Sequence, residues 1–133
     1  MEKRDLDIIL NSSTNWLMYR NKTVLVTGVT GRLGRYIFDV MIDVDLRYNL
    51  NMRIIGMARS EEELRLPNVD LIYQDINESI IYDSVIDYIF HTAGPAAPVD
   101  FKNIPVETLW SHVNGTHNIL ECARTHETKK VFY

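Results

Sequence analysis

Short apolar runs alternate with longer amphipathic segments along most of this chain, and this alternation limits the folds that it can adopt. The first run is 24–26, and further runs lie at 53–57, 69–73, 87–92 and 129–133. These runs are largely continuous in apolar residues, which is typical of strands that helices cover on both faces. Because a repeated β, α, β order builds a parallel sheet, the sequence predicts an α/β fold, namely a Rossmann-like doubly wound parallel sheet.

The segments between the runs supply the predicted helices. We expect helices over 33–48, from about residue 61, and over 105–126, with a turn or helix over 78–85. In 105–126 the apolar residues fall largely at helical spacing, which predicts that one face of this helix is buried. The residues of that predicted face are Val106, Leu109, Trp110, Val113, Leu120 and Ala123.

The length of 133 residues accommodates one domain. We expect an N-terminal helical extension over 1–20 and the sheet domain over 21–133. The last apolar run coincides with the end of the sequence, where a newly formed strand would leave the sheet edge uncovered. The sequence therefore predicts a fold truncated in or just after its fifth strand.

Charge and cysteine content exclude several classes of partner. The 14 basic and 18 acidic residues give a net charge of -4, so we expect no nucleic acid partner and no membrane partner. A single Cys122 cannot form an intrachain disulfide and fits a cytoplasmic location. The four histidines lack the spacing of metal ligands, so no metal site is predicted.

A glycine-rich segment, Thr27–Gly34, directly follows the first predicted strand and precedes the first long helix. In this position Gly28 would permit a tight turn, Gly31 would let backbone N–H groups approach a diphosphate, and Gly34 would let the helix pack closely. The alternative is a glycine turn that serves only to reverse the chain. The predicted cofactor-binding residues of this segment are Gly28, Thr30, Gly31, Arg32, Leu33 and Gly34.

The segment TGVTGRLG resembles the TGxxGxxG motif of the short-chain dehydrogenase/reductase superfamily, especially its extended branch of NAD(P)-dependent sugar-nucleotide epimerases and dehydratases. Residues 87–98 are similar to the fourth strand of that branch and the loop over its nicotinamide. Residues 114–120 resemble its N-x-x-GT-x-N helix, and Asp75-Ile76 resembles its adenine-binding pair. The resemblance extends over residues 22–133.

The resemblance implies further cofactor contacts. Asp75 would accept a hydrogen bond from the adenine amino group, with Ile76 against the ring, unless Asp75 only closes a local turn. Ala93 and Gly94 would let the backbone pass the ribose and nicotinamide. Asn114 has two open roles, either bonding backbone near the cofactor loop or bracing its helix against the sheet.

The residues after the second strand bear on the choice of cofactor. An NAD-binding fold usually places an acidic residue there to hold the ribose hydroxyls, but Ala58 and Arg59 occupy these positions. A guanidinium matches the extra phosphate of NADP, so NADP is favoured over NAD and both stay open. Alternatively, Arg59 is solvated beside a capping box over 60–63.

By resemblance, the complete enzyme would oxidise a hydroxyl of a nucleotide-linked sugar and then epimerise, dehydrate or decarboxylate the product. Catalysis in that family uses Tyr-x-x-x-Lys, and no tyrosine of this sequence has a lysine four residues later. We therefore predict no catalytic residue here, and a chain that binds dinucleotide without turnover. The alternative is a non-catalytic NAD(P)-binding regulator or scaffold. The resemblance also implies a homodimer formed through the helix over 105–126.

Overall fold

A computed structural model describes residues 3–59 and 69–133 of the chain. The strands of its sheet are β1 (Thr23–Thr27), β2 (Arg53–Ala58), β3 (Val69–Tyr73), β4 (Tyr88–His91) and β5 (Lys130–Phe132). The α-helices are α1 (Lys3–Leu10), α2 (Arg32–Tyr48), α3 (Pro98–Asn103) and α4 (Pro105–Thr125), and a 3₁₀ helix spans Trp16–Tyr19. The helix expected from about residue 61 and the capping box over 60–63 lie outside the described residues.

The five strands form one sheet in the order β3-β2-β1-β4-β5, and every pairing is parallel. The chain passes outward from β1 through β2 to β3 and then crosses back to place β4 on the other side of β1. This order confirms the predicted Rossmann-like doubly wound sheet. It also puts β1 at the centre, where the direction of winding reverses.

Each central strand contributes side chains to two separate cores. In β1, Val24 and Val26 are fully buried on the face covered by α1 and α2, whereas Leu25 is buried on the opposite face. On that opposite face Ile119 and Cys122 of α4 pack against the sheet. Because helices cover both faces of β1, its side chains are apolar on both faces and do not alternate with polar ones along the strand. This explains its continuous apolar run.

The N-terminal residues pack against the α2 side of the sheet. Leu10 of α1 and Tyr19 of the 3₁₀ helix are both buried, and the ring of Tyr19 meets Tyr88 of β4 edge-on at a centroid distance of 4.9 Å. The hydroxyl of Tyr48 donates a hydrogen bond to the carbonyl of Leu10 at 2.6 Å. These contacts join α1 to α2 and the 3₁₀ helix to β4. The boundary at residue 20 stays a prediction.

The predicted buried face of α4 is wrong. Five of its six apolar residues are 50–73% exposed, and only Ala123 is partly buried. The buried residues of α4 are Thr108, Gly115, Ile119 and Cys122. The helical period was correct, but it identifies residues that share a face and does not say which face the sheet covers.

Two connections bear on further expectations. Of the turn or helix expected over 78–85, the helix does not form, and the connection from β3 to β4 is irregular there with bends at 78 and 83–84. Residues 98–103, for which no helix was expected, form α3 with Pro98 in its first turn. A proline in the first turn is compatible with a helix because the first N–H groups have no partner within the helix.

Asp87 holds together the amino-terminal ends of three strands. Its carboxylate accepts a hydrogen bond from the Thr23 N–H at 3.0 Å, and Nζ of Lys22 and Nζ of Lys129 each lie 3.3 Å from it. Burial raises the pKa of Asp87, but the hydrogen bonds of these three neighbours outweigh burial and hold the pKa below its ordinary value. The charged carboxylate therefore stabilises the edge where β1, β4 and β5 begin.

The Asp87→Asn variant should be less stable by about 1 kcal/mol at pH 7, because its amide still accepts from Thr23 but attracts neither lysine. A lowered folded pKa gives stability that is present above the ordinary aspartate value of about 3.9 and is lost as the pH falls through the folded pKa. The difference from wild type should therefore vanish in acid. Urea denaturation at a series of pH values measures both effects.

The control is Asp70→Asn, which removes the exposed pair between Asp70 and Arg53. Exposed ion pairs contribute little, so this variant should lose less than about 0.5 kcal/mol. An equal loss in both variants, or a loss in Asp87→Asn that persists in acid, would contradict the assigned role.

Candidate cofactor-binding site

A crevice opens at the carboxyl edge of the sheet, between the ends of β1 and β4. The chain leaves β1 towards α2 on one face and leaves β4 towards α3 and α4 on the other. Doubly wound sheets bind ligands at this kind of switch point. The crevice holds about 660 Å³ of free space, part of it open to solvent. Its lining residues are Gly28, Thr30, Gly31, Met57, Ala58, Arg59, Gln74, Asp75, Ile76, Thr92, Ala93, Gly94, Pro95 and Ser111.

Gly28 turns the chain sharply where it leaves β1. Its φ of 71° lies in the left-handed region, and a Cβ there would lie 2.9 Å from the Cα of Ala93. The N–H of Gly31 donates to the carbonyl of Gly28 at 2.9 Å and closes the turn. A side chain at Gly28 would thus be strained by the backbone and would also collide with the strand end opposite.

Gly34 lets the first turn of α2 lie directly on this loop. A Cβ at Gly34 would lie 2.6 Å from Oγ1 of Thr92, and closer still to the carbonyl of Gly28. At the N-cap of α2, Gly31 makes no side-chain capping bond. The first N–H groups of a helix have no partner within the helix and carry partial positive charge. The loop and the helix start therefore form a backbone surface suited to an anion.

Thr27 connects the ends of β1 and β4. Its buried Oγ1 lies 2.9 Å from Nδ1 of His91 and accepts the backbone N–H groups of Thr92 and Ala93, each at 3.2 Å. The hydroxyl of Thr92 donates to the carbonyl of Thr27 at 2.6 Å. Burial, and secondarily the charge of His112, lower the pKa of His91, which favours its neutral form.

The loop after β3 is fixed to α4 by side-chain amides. Nδ2 of Asn114 donates to the carbonyl of Asn77 at 2.8 Å, and Nδ2 of Asn118 donates to the carbonyl of Ile76 at 2.9 Å. Gly115 permits this approach, because a Cβ there would lie 3.0 Å from Cγ1 of Ile76. The amide group of Asn114 therefore bonds loop backbone, and Asn114 is not among the residues that line the crevice.

Asp75 has two roles in the structure. Its Oδ1 accepts the N–H of Asn77 at 2.8 Å, which is the local turn considered above, and the residue also lines the crevice beside Ile76. The turn therefore fixes the carboxylate in a position where it borders the free space.

The loop after β4 is held from the side of α4. Nε2 of His112 donates to the carbonyl of Pro95 at 3.0 Å. Gly94 has a φ of 148°, and a Cβ there would lie 3.0 Å from the His112 ring. A larger residue at position 94 would push the imidazole away from this loop.

Most of the predicted site residues lie together. Eight line the crevice: Gly28, Thr30, Gly31, Arg59, Asp75, Ile76, Ala93 and Gly94. Arg32, Leu33, Gly34 and Asn114 are not among the lining residues; Arg32 and Leu33 are exposed on the first turn of α2, and Gly34 is buried beneath the loop.

Six lining residues were not predicted: Met57, Ala58, Gln74, Thr92, Pro95 and Ser111. Most of them lie at or just after the carboxyl end of a strand, so position in the parallel sheet was a usable signal. Ser111 is the exception, because it comes from the middle of α4 and nothing in its sequence context marks it.

The described residues, 3–59 and 69–133, contain neither a candidate metal site nor a candidate membrane-spanning helix. Within them, no group of three or more His, Cys, Asp or Glu side chains could hold a metal ion. No helix in the same ranges has the length and apolar character needed to cross a membrane.

A doubly wound sheet with a glycine turn at its switch point is typical of dinucleotide-binding domains, and comparison with known proteins specifies the family. The model of the NAD dependent epimerase/dehydratase family matches residues 24–133. The chain belongs to this family, which confirms the resemblance seen in the sequence.

Two relatives illustrate the match. UDP-glucuronic acid decarboxylase 6 of Arabidopsis thaliana is 31% identical over 111 residues, which are 78% of this chain and 31% of that protein. The X-ray structure of Pen from Bacillus thuringiensis is 27% identical, has a TM-score of 0.68, and is matched over 85% of this chain and 36% of its own. The chain thus spans about a third of the length of these proteins.

A third comparison shows the fold. A variant of uronate dehydrogenase from Agrobacterium tumefaciens, complexed with NAD, has a TM-score of 0.61 and 23% identity, with 83% of this chain and 39% of that chain covered. The described sheet and helices therefore share the fold of that protein.

Proposed function

We propose that the crevice binds NAD or NADP, with the diphosphate against the backbone of Gly28–Gly34. The observation that carries this proposal is the meeting of an uncapped helix start with a glycine turn at the switch point of the sheet. Backbone N–H groups and the helix dipole there attract an anion, and the missing side chains leave room for it. The NAD complex of the uronate dehydrogenase variant supports the same assignment.

The two ends of the crevice suit the two ends of a dinucleotide. On the β3 side, Asp75 offers a carboxylate acceptor for an adenine amino group, and the buried Ile76 offers an apolar surface for a ring. On the β4 side, Ala93 and Gly94 line the crevice and leave room for the nicotinamide half beside their backbone. These residues would hold the nicotinamide, which supplies a hydride acceptor when bound.

Arg59 favours NADP over NAD. It follows β2 directly, is exposed and lines the crevice, and the residue before it is Ala58 rather than an acid. A guanidinium beside the adenosine ribose attracts a 2′-phosphate and gives a ribose hydroxyl no carboxylate acceptor. The preference for NADP is independent of the diphosphate site, so it can prove wrong while the dinucleotide still binds.

We assign the whole protein to oxidoreductases that act on nucleotide-linked sugars, by analogy with the named activity of UDP-glucuronic acid decarboxylase 6. Hydride transfer from a sugar hydroxyl requires a base to take up the hydroxyl proton. The 133 residues contain no Tyr-x-x-x-Lys sequence that could supply a tyrosine base of lowered pKa. We therefore infer that this chain binds the dinucleotide without turnover.

The outer face of α4 is proposed to form a homodimer. Leu109, Trp110 and Val113 of this face are each more than half exposed, and Phe101 of α3 is 53% exposed. Contiguous exposed apolar side chains of this kind mark an interaction surface. A second copy of the chain would bury the residues that the sequence pattern indicated as buried.

The Gly31→Glu variant tests the diphosphate site. A carboxylate at this position would fill the anion site and repel the diphosphate, so affinity for both dinucleotides should fall at least about a hundredfold. Calorimetric titration with NAD and NADP measures it. The matched control is Leu46→Glu, which adds the same charge at an exposed position in the last turns of α2 and should bind as wild type does. Folded wild-type chain that binds neither dinucleotide would overturn the proposal.

The Arg59→Ala variant tests the cofactor preference. Loss of a charged hydrogen bond should weaken NADP binding about tenfold and change NAD binding less than about twofold. Arg59→Lys keeps the charge without the planar fork and should lie between. Equal losses for both dinucleotides, or tighter binding of NAD than of NADP by wild type, would contradict the preference.

The Trp110→Glu and Val113→Glu variants test the dimer. A charge buried in an apolar interface is costly, so sedimentation should show dimeric wild type and monomeric variants. Leu46→Glu again serves as the control, since it replaces an exposed apolar residue of α2 and should stay dimeric. Dimers that persist in both variants would place the interface elsewhere, for example on the open edge of β5.

A further inference from the structure

The pairing of β1 with β4 ends at Thr27 and His91, which are opposite each other in the register. Just beyond this pair the two backbones stay close, since a Cβ on Gly28 would lie 2.9 Å from the Cα of Ala93, and the crevice opens beside this junction. Thr27 has no exposed surface, and its hydroxyl joins the two strand ends by accepting the N–H groups of Thr92 and Ala93. The direction of the Thr27 hydroxyl proton is therefore determined by a small number of hydrogen-bond partners.

These partners fix the tautomer of His91. A threonine hydroxyl has one proton to donate and two lone pairs to accept with. The N–H groups of Thr92 and Ala93 can only donate, and they occupy both lone pairs. The hydroxyl proton is then directed to Nδ1 of His91, 2.9 Å away. Nδ1 must accept, so the imidazole is neutral and carries its proton on Nε2.

We propose that His91 is a positioning residue for the cofactor crevice, and that it acts by accepting the Thr27 hydroxyl proton at Nδ1. The accepted proton orients both lone pairs of the hydroxyl towards the backbone of Thr92 and Ala93. Ala93 in turn lies against Gly28, where a Cβ would be only 2.9 Å from it. His91 thereby sets the distance between the glycine turn and the loop after β4 without contacting the ligand.

A second tie limits the expected size of the effect. The hydroxyl of Thr92 donates to the carbonyl of Thr27 at 2.6 Å, and this bond does not involve His91. Loss of the His91 acceptor should therefore loosen the junction and leave the sheet folded. One hydrogen bond of this kind corresponds to about a fivefold change in affinity.

Two substitutions separate the acceptor from the bulk of the side chain. His91→Asn retains an acceptor near the position of Nδ1 and should bind dinucleotide within about twofold of wild type. His91→Leu fills similar space without an acceptor and should bind about fivefold more weakly. His117→Leu, on the exposed side of α4, is the matched control and should change nothing. Equal losses in His91→Asn and His91→Leu would overturn the proposal.

The dependence on Thr27 is tested by a double-mutant cycle. Thr27→Val keeps the shape of the residue and removes its hydroxyl, so the difference between His91→Asn and His91→Leu should disappear in that background. A difference that persists without the hydroxyl would show that His91 acts by another route. Circular dichroism of each variant confirms that the sheet is intact before affinities are compared.

The affinity measurements rest on the proposed dinucleotide function, whereas two measurements on the ligand-free chain do not depend on it. Nitrogen NMR of the imidazole should show His91 protonated on Nε2 and bare at Nδ1. Amide exchange at Thr92 and Ala93 should be faster in His91→Leu than in His91→Asn or wild type. Protonation at Nδ1, or unchanged exchange in His91→Leu, would overturn the positioning role. If wild type binds neither dinucleotide, the proposed function fails and these measurements still decide the role of His91.

Discussion

The close approach of two backbones, at Gly28 and Ala93, determines the geometry of the carboxyl edge of the sheet. It requires a residue without a Cβ at position 28, and it brings the turn after β1 against the loop after β4. The start of α2 can then rest on the same turn, because Gly34 also lacks a side chain. The anion-binding surface is thus a product of packing, and its donors are backbone groups held rigidly by their neighbours.

Polar side chains stabilise the two ends of the strands in different ways. At the amino-terminal ends, Asp87 uses full charges from two lysines to hold β1, β4 and β5. At the carboxyl ends, Thr27 and His91 use uncharged hydrogen bonds in a buried setting. The junction itself therefore adds no charge to the crevice, whose lining includes Arg59 and Asp75.

Sequence reasoning identified the sheet and most of the crevice because both depend on local signals. Strand ends and the glycine motif can be recognised from short stretches of consecutive residues. Eight of the predicted site residues line the crevice. The orientation of α4 could not be derived in this way. Its buried positions include Gly115, which lies against Ile76, and Thr108, whose hydroxyl donates to the carbonyl of Asp100 in α3. Only the tertiary contacts reveal that this weakly apolar stripe is the inner one.

Helix α4 contacts both sides of the crevice at once. Asn114 and Asn118 bond to the loop after β3, and His112, two residues before Asn114, bonds to the loop after β4 at Pro95. A straight helix cannot shorten or lengthen between these anchors, since its rise per residue is fixed. The distance between the loops after β3 and β4, which a bound molecule would have to bridge, is therefore set by one rigid helix. A tilt of α4 would move both loops together.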